Sequence, residues 1–420
     1  MVGTNPARNQ QTCQHYYGKI PRNVELALEE VEQELLELGI PFKTRHNEVA
    51  NNQFEIACIF GEAGHTIDQN VLAGEIIKEA FKRQGLVALL HEKPFTEING
   101  SGKHANWNIA YVKPDGKIKN LFKYSEKDSE MDKKIYKLYI LIQLMAGLRY
   151  HKLYLSAIAC PGNEVRLGGH EAPPRIFSVF LGSALSNMLD GKEPPAVKNL
   201  RELVNALSYD VNQENTDRNR TSPFAYTGRV FEFRALGSTQ NASFPMAVIG
   251  ATMAAEIQEV IKLLDSGKKL DDIIDLYNKE TRMVRFEGDG YSKEWKEEAS
   301  KRGLHVNEKF VDLYKFLDTE QEVFVKVGAC SPEENAARAQ IYKTNYMDEV
   351  LIEVDTLMYI ARRNVIPHAY NYLQTTVAIK GAVLDSYTKD ISTKMENVIT
   401  AINNLEKNKS SKADSLNGCQ

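Results

Sequence analysis

In the stretch Arg45-His46-Asn47-Glu48-Val49-Ala50-Asn51-Asn52-Gln53-Phe54-Glu55-Ile56-Ala57-Cys58-Ile59-Phe60, the residues Phe54, Ile56, Cys58 and Phe60 alternate with Gln53, Glu55 and Ala57. This is the period-2 signature of a strand with one apolar face. Gln53 to Phe60 and the preceding Pro41 to His46 are therefore expected to form two short strands, with Glu55 pointing away from the more apolar face. Asn51-Asn52 supplies turn residues between them, and Glu48 and Glu55 flank that turn. Two carboxylates so placed can be aimed at one hard cation, which prefers oxygen ligands; solvated surface carboxylates are the alternative.

Upstream, Val24, Leu28, Val31, Leu35 and Leu38 recur at helical spacing over Asn23 to Leu38, and Gly39 stands where a helix C′ residue belongs. Downstream, a helix is expected over Leu72 to Gln84, ending near Gly85. The apolar run Leu86 to Leu90 then reads as a buried strand that delivers His91 to Pro94. Gly100 and Gly102 break the chain before a strand near Trp107 to Val112. This mixture of helix and strand points to an α+β or α/β sheet domain. Beyond Asp132 the pattern turns helical, with candidates at Lys133 to Leu148, Arg175 to Met188, Pro245 to Leu264 and Asn335 to Ala361, and one strand-like island at Arg229 to Arg234. The expected division is a motif-bearing catalytic part over residues 1–264, a charged helical insertion over 265–332, C-terminal helices over 333–404 packing on the first part, and a polar, disordered tail over 405–420.

Composition narrows the classes. The 420 residues are 43% hydrophobic and 26% charged, enough for a sizeable core. A net charge of −4 gives no global basic field for nucleic acid or anionic lipid. No apolar run approaches the roughly 20 residues that span a bilayer, and the polar start Met1 to Gln11 does not resemble a secretory signal, so a cytoplasmic protein is expected. Five cysteines (Cys13, Cys58, Cys160, Cys330, Cys419) without CxxC spacing point to reduced thiols rather than to disulfides or zinc.

Three further clusters carry polar chemistry. Asn99-Gly100-Ser101-Gly102-Lys103-His104 is a glycine-rich turn where bare backbone can approach a ligand; a plain hairpin loop is the alternative. Arg166 and Glu171 bracket Leu167-Gly168-Gly169-His170, followed by Pro173-Pro174, which suits a lid or an ordinary polar turn. Asn219-Arg220-Thr221-Ser222-Pro223 precedes Phe231-Glu232-Phe233-Arg234, whose alternation sets Glu232 and Arg234 on one strand face. A salt-bridged edge strand is the alternative there.

Taken in order, these pieces resemble one family. His46-Asn47-Glu48-Val49-Ala50 with Gln53-Phe54-Glu55-Ile56, and His91-Glu92-Lys93-Pro94-Phe95 with Asn99 to His104, look like the large type III branch of the glutamine synthetases. Arg166 to Pro174, Asp217 to Phe224 and Phe231 to Arg234 continue the likeness, which runs from about Gly3 to about Tyr372. The resemblance implies an α+β fold, an antiparallel sheet packed with many helices. It also implies ligation of ammonia to glutamate by ATP through γ-glutamyl phosphate, with two divalent metals, Mg²⁺ or Mn²⁺. On that basis Glu48 and Glu55 ligate one metal, and His104 and Glu232 the other. Asn99, Gly100, Arg166 and Arg234 bind the glutamate, and Tyr16 lies near the ammonium. Arg220 faces the transferring phosphoryl group, Glu171 covers the intermediate and takes a proton, and Lys103, Asn106, Asn108 and Arg229 contact the nucleotide. A homo-oligomeric ring is implied as well.

The resemblance also implies a Glu-x-Glu strand ahead of the Tyr16 region, one more carboxylate for each metal, and a small N-terminal domain. The sequence starts after that strand and closes on polar residues, so it is expected to be truncated at both ends, with each metal short of one ligand. Two alternative readings follow: a non-catalytic fragment or scaffold, and a ligase that joins γ-glutamyl groups to other amines.

Overall fold

The alternation in the quoted stretch becomes a hairpin. In the computed structural model, β1 (Phe42–Asn47) pairs antiparallel with β2 (Phe54–Cys58), with His46 opposite Glu55. Asn52 takes a left-handed φ of 57° in the turn, a conformation that asparagine tolerates better than most residues. Two helices, α1 (Arg22–Glu37) and α2 (Ala63–Arg83), pack on the apolar side of this hairpin. Val24, Leu28, Val31, Leu35, Ile76 and Phe81 form the buried contact, with Phe54, Ile56 and Cys58 against it. Phe54, Ile56 and Cys58 thus face the helices, and Glu55 faces away from them. The structure describes residues 10, 15–169, 171–192, 221–306, 309–377 and 381–416.

The central sheet has four strands in the order β3 (Gly102–Trp107), β8 (Phe231–Gly237), β7 (Phe224–Tyr226) and β6 (Val179–Phe180), antiparallel except for the β6–β7 pair. A separate two-stranded ribbon pairs β4 (Ala110–Val112) with β5 (Ile118–Asn120). Aromatic residues fill the space behind the sheet. Trp107 stacks on Phe231 at 6.0 Å between ring centroids, and Phe122 meets the same ring edge-on at 5.0 Å. Offset and edge-on arrangements suit the ring quadrupoles. The long helix α3 (Glu130–Ala157) is capped by the Ser129 side chain, which accepts from the Asp132 N–H, and kinks at Tyr150. It brings Tyr154 to 4.9 Å from Phe177. Gly147 makes this approach possible: a Cβ there would lie 2.4 Å from the Phe177 ring.

Two expected elements are replaced. Leu86 to Leu90 joins no sheet; Leu86 and Ala88 pack, partly buried, on the α1–α2 core while Val87 is 82% exposed. The expected helix over Arg175 to Met188 is interrupted, because Val179 is claimed by a ladder. Its N–H donates to the Val284 carbonyl at 2.8 Å and its carbonyl accepts from Phe286 at 3.1 Å. Only after Gly182, at φ 78°, does the short helix α5 (Ser183–Leu189) begin; the six-residue α4 (Pro161–Arg166) lies earlier. Residues from the charged 265–332 segment therefore extend the sheet edge beside β6. Between β8 and that segment runs α6 (Ser243–Asp265).

The chain divides into two compact units, Met1–Ala339 and Gln340–Gln420. The second is helical, with helices Ile366–Thr376 and Ala382–Leu416 and a small core of Met358, Ala361 and Ile402. Residues 405–416, where composition suggested disorder, continue the last helix. Leu405 packs against that core, and Glu406 and Lys409 pair with Arg362 and Asp355. Among the described residues no helix is long and apolar enough to cross a membrane.

Candidate active site

The polar face of the β1–β2 hairpin carries the first cluster, and strand register explains it. Directly opposed residues in an antiparallel pair present side chains to the same face, so His46 and Glu55 meet. His46 Nε2 lies 3.1 Å from Glu48 Oε1 and 3.4 Å from Glu55 Oε2. Glu48 is fixed by its own N–H, which donates to the Gln53 carbonyl at 2.8 Å. One donor atom from each of the three residues lies within 4.8 Å of the others. Burial pushes the Glu48 carboxyl up to about 8, and the hydrogen bond and charge of Glu55 and the charge of Glu171 act in the same direction. Crowded acid oxygens beside an imidazole fit a divalent cation such as Mg²⁺ or Mn²⁺. His46 was missed in the sequence, where nothing short of the pairing register sets it against Glu55.

A second cluster sits on the central sheet. Asn106 stands opposite Glu232 in the β3–β8 ladder, so His104, two residues before it, shares the Glu232 face; the register shifts between Lys103 and Ala105, where Arg234 and Ala235 of β8 oppose His104 alone. His104 Nδ1 lies 3.6 Å from Glu232 Oε1, and Arg234 Nε lies 3.0 Å from the same oxygen. Glu232 and Arg234 share one face of β8, as alternation requires, while Phe231 and Phe233 enter the aromatic core. The His104 side chain is 38% exposed, and desolvation by its surroundings holds the imidazole below its usual pKa. Glu232 and Glu55 oppose that shift; Arg234 and Arg166 reinforce it. The Glu55 charge thus reaches His104 from the hairpin.

Between the clusters lies the Asn99 turn. Asn99 Nδ2 donates to Glu171 Oε2 at 2.7 Å, and Gln10 Nε2 donates to Asn99 Oδ1 at 2.8 Å. Gln53 reaches across from the hairpin to the Gly100 carbonyl at 2.8 Å. Gly100 and Gly102 are required by close approach: a Cβ would stand 2.2 Å from the Glu92 carbonyl oxygen at Gly100, and 2.1 Å from Arg166 Nη2 at Gly102. Arg166 itself is 6% exposed. Its Nη1 donates to Asn163 Oδ1 at 3.1 Å and to the Leu236 carbonyl at 2.9 Å, so much of its fork braces β8 from behind. Burial lowers its pKa to about 10, with Glu92 opposing.

The remaining candidates are spread more widely. The Tyr16 ring meets His46 edge-on at 5.9 Å. Asn106 stands opposite Glu232 in the ladder and is exposed, as is Asn108. Lys103 Nζ donates to the Gln240 carbonyl at 2.6 Å. Arg229 is exposed in the β7–β8 turn, where its carbonyl accepts from Asn120. Arg220 lies outside the described residues. Tyr291, from the segment expected to be a charged helical insertion, donates through its hydroxyl to the Ala172 carbonyl at 3.0 Å, next to Glu171.

The sequence matches known proteins over most of its length. The glutamine synthetase catalytic domain matches residues 3–173, and the glutamine synthetase C-terminal domain matches residues 269–382. A glutamine synthetase of Bacteroides fragilis (strain YCH46) is 38% identical over 393 residues, 89% of this chain and 53% of that protein. A type-3 glutamine synthetase of Dictyostelium discoideum is 33% identical over 389 residues, 88% of this chain and 51% of its own length. A glutamine synthetase of Butyrivibrio fibrisolvens is 33% identical over 401 residues, 92% of this chain and 56% of its length. The chain thus spans about half the length of the curated relatives it matches.

Proposed function

The chain belongs to the glutamine synthetase family, and from that premise we propose that it carries the ATP-dependent ligation of ammonia to L-glutamate, giving L-glutamine through γ-glutamyl phosphate. One juxtaposition supports the reading above all: Glu171 is hydrogen-bonded to Asn99 and its charge reaches Glu48, which stands with Glu55 and His46. In the reaction, an oxygen of the substrate's side-chain carboxylate bonds to the γ-phosphorus of ATP as the bond to ADP breaks. Ammonia then attacks the acyl carbon, phosphate leaves, and a base takes one proton.

Under this proposal Glu48 and Glu55, with His46 beside them, would hold one Mg²⁺ or Mn²⁺, and His104 and Glu232 the other. Bound there, such ions supply positive charge against phosphate oxygens. Asn99 and Gly100 would orient the glutamate, with Arg234, backed by Arg166, on a carboxylate. Tyr16 would sit beside the ammonium. Glu171 would accept the proton released as ammonia adds, and its turn would shield the acyl phosphate from water. Arg220 would face the phosphoryl group, and Asn106, Asn108, Lys103 and Arg229 the nucleotide. A homo-oligomeric ring and a cytoplasmic setting belong to the same proposal.

The test is γ-glutamyl transfer from glutamine to hydroxylamine with Mn²⁺ and ADP. Hydroxamate formation that Glu232→Ala abolishes is the expected result. Mn²⁺ binding without hydroxamate would favour a non-catalytic scaffold, and preference for an alkylamine over ammonia in the forward direction would favour an amine ligase.

A further inference from the structure

The turn that carries Glu171 is tightly specified. Glu171 has a left-handed φ of 65°, a region that non-glycine residues occupy at a cost and only when their surroundings enforce it. The Gly168 N–H donates to the Pro173 carbonyl at 3.0 Å and the Ala172 N–H to the Gly169 carbonyl at 3.1 Å, closing the turn on itself. Besides Asn99, which holds the Glu171 carboxylate, a second hold on the closed turn comes from far along the chain, at Gly288-Asp289-Gly290-Tyr291.

That segment is a rigid mount. Phe286 stacks on buried Trp295 at 3.7 Å between centroids. Glu287 accepts from the Leu181 and Gly182 N–H groups, both at 3.2 Å, and from Ser186 Oγ at 2.8 Å. The Gly290 N–H donates to Thr221 Oγ1 at 2.7 Å, and that hydroxyl donates to the Gly288 carbonyl at 3.2 Å. Thr221 follows Arg220 in the sequence. Gly290 must be glycine-sized, since a Cβ would lie 2.9 Å from Thr221 Oγ1 and 3.2 Å from Pro174 Cγ. From this mount the Tyr291 hydroxyl reaches the Ala172 carbonyl. The phenol is 36% exposed; burial raises its pKa, Arg234 opposes, Glu171 and Asp289 add to the rise, and Arg166 opposes.

We propose that Tyr291 is a positioning residue that anchors the Glu171 turn, through its hydroxyl on the Ala172 carbonyl, and couples that turn to the segment beginning at Thr221. The proposal deepens the ligase reading and rests on it for its catalytic consequence, although the anchoring itself is independent of activity. Without the hydroxyl the turn swings away more often, water reaches the acyl carbon of γ-glutamyl phosphate, and hydrolysis returns glutamate and phosphate in place of glutamine.

Tyr291→Phe removes the hydroxyl and keeps the ring. Two measurements on the chain decide the matter. Hydrogen–deuterium exchange should rise roughly fivefold or more in peptides carrying Gly168 and Ala172, matching the loss of one hydrogen bond, with peptides from the α1–α2 core unchanged. With ATP, glutamate, ammonium and Mg²⁺, the ratio of phosphate released to glutamine formed should rise above one, whereas a general loss of fold lowers both products together. Gly290→Ala, which pushes against Thr221 and Pro174, should change both quantities in the same direction. Unchanged exchange at Gly168 and Ala172, or an increase shared by the whole chain, overturns the anchoring. Increased local exchange with a ratio that stays at one overturns the shielding consequence. Absence of glutamine from the unsubstituted chain counts against the ligase reading, and the exchange result still decides Tyr291.

Discussion

Substituting Glu48 by glutamine probes the acid cluster most directly. In the metal-free protein the Glu48 carboxyl is pushed up to about 8, chiefly by burial and then by Glu55. At pH 7 the Glu48–Glu55 pair therefore retains most of one proton, which it loses as pH rises through about 8. A divalent cation binds the deprotonated oxygen, so binding must expel that proton. Titration of Mn²⁺ into the chain by calorimetry, in two buffers of different protonation enthalpy, should show proton release on binding at pH 7 that is markedly smaller at pH 9. Apparent affinity should rise about tenfold per pH unit up to about 8 and level off above it. Stability without metal follows the same proton with a definite sign. The native state holds a proton that the unfolded chain has already lost above the ordinary carboxyl range, so Glu48 favours folding less as pH rises from that range through about 8. Glu48→Gln should flatten this dependence, abolish the proton release and weaken Mn²⁺ binding. If proton release at pH 7 is zero, or is the same in Glu48→Gln, the reasoning about the cluster is wrong.

Gly102→Ala forces a methyl group into the Arg166 guanidinium and should cost about 1–3 kcal/mol in urea unfolding, with a matching loss of transferase activity. Arg234→Lys replaces a planar fork by a point charge beside Glu232; KM for glutamate should rise about tenfold or more, with the melting temperature little changed. Leu35→Ala, in the fully buried α1–α2 contact, should lower unfolding free energy by about 2–5 kcal/mol and, by loosening the hairpin that bears Glu48 and Glu55, weaken Mn²⁺ binding as well.

Much of the architecture was legible locally. The helix over Arg22–Glu37 follows from the spacing of Val24, Leu28, Val31 and Leu35, and the hairpin from Phe54, Ile56 and Cys58, because both elements owe their form to one face that must leave water. Leu86 to Leu90 and Arg175 to Met188 misled for one reason. An apolar run states that a segment is buried, without stating which backbone groups it pairs with. Leu86 and Ala88 are partly buried without a ladder, and Val179 pairs with residues more than a hundred positions away.

The site divides along the same line. Residue types and their order, carboxylates around a turn, a glycine loop before a histidine, and alternating glutamate and arginine on a strand, carried the resemblance to the family, because several motifs in one order are far more specific than any one of them. Distances between them were decided by the tertiary structure. Strand register set His46 against Glu55 and put His104 on the Glu232 face, and burial committed much of the Arg166 fork to the carbonyls of β8. The chain also brings Tyr291 to the Glu171 turn from over a hundred residues away, a contact that no local pattern encodes. Local sequence specifies which faces are apolar and which side chains can react; the folded backbone alone specifies which distant groups share a site.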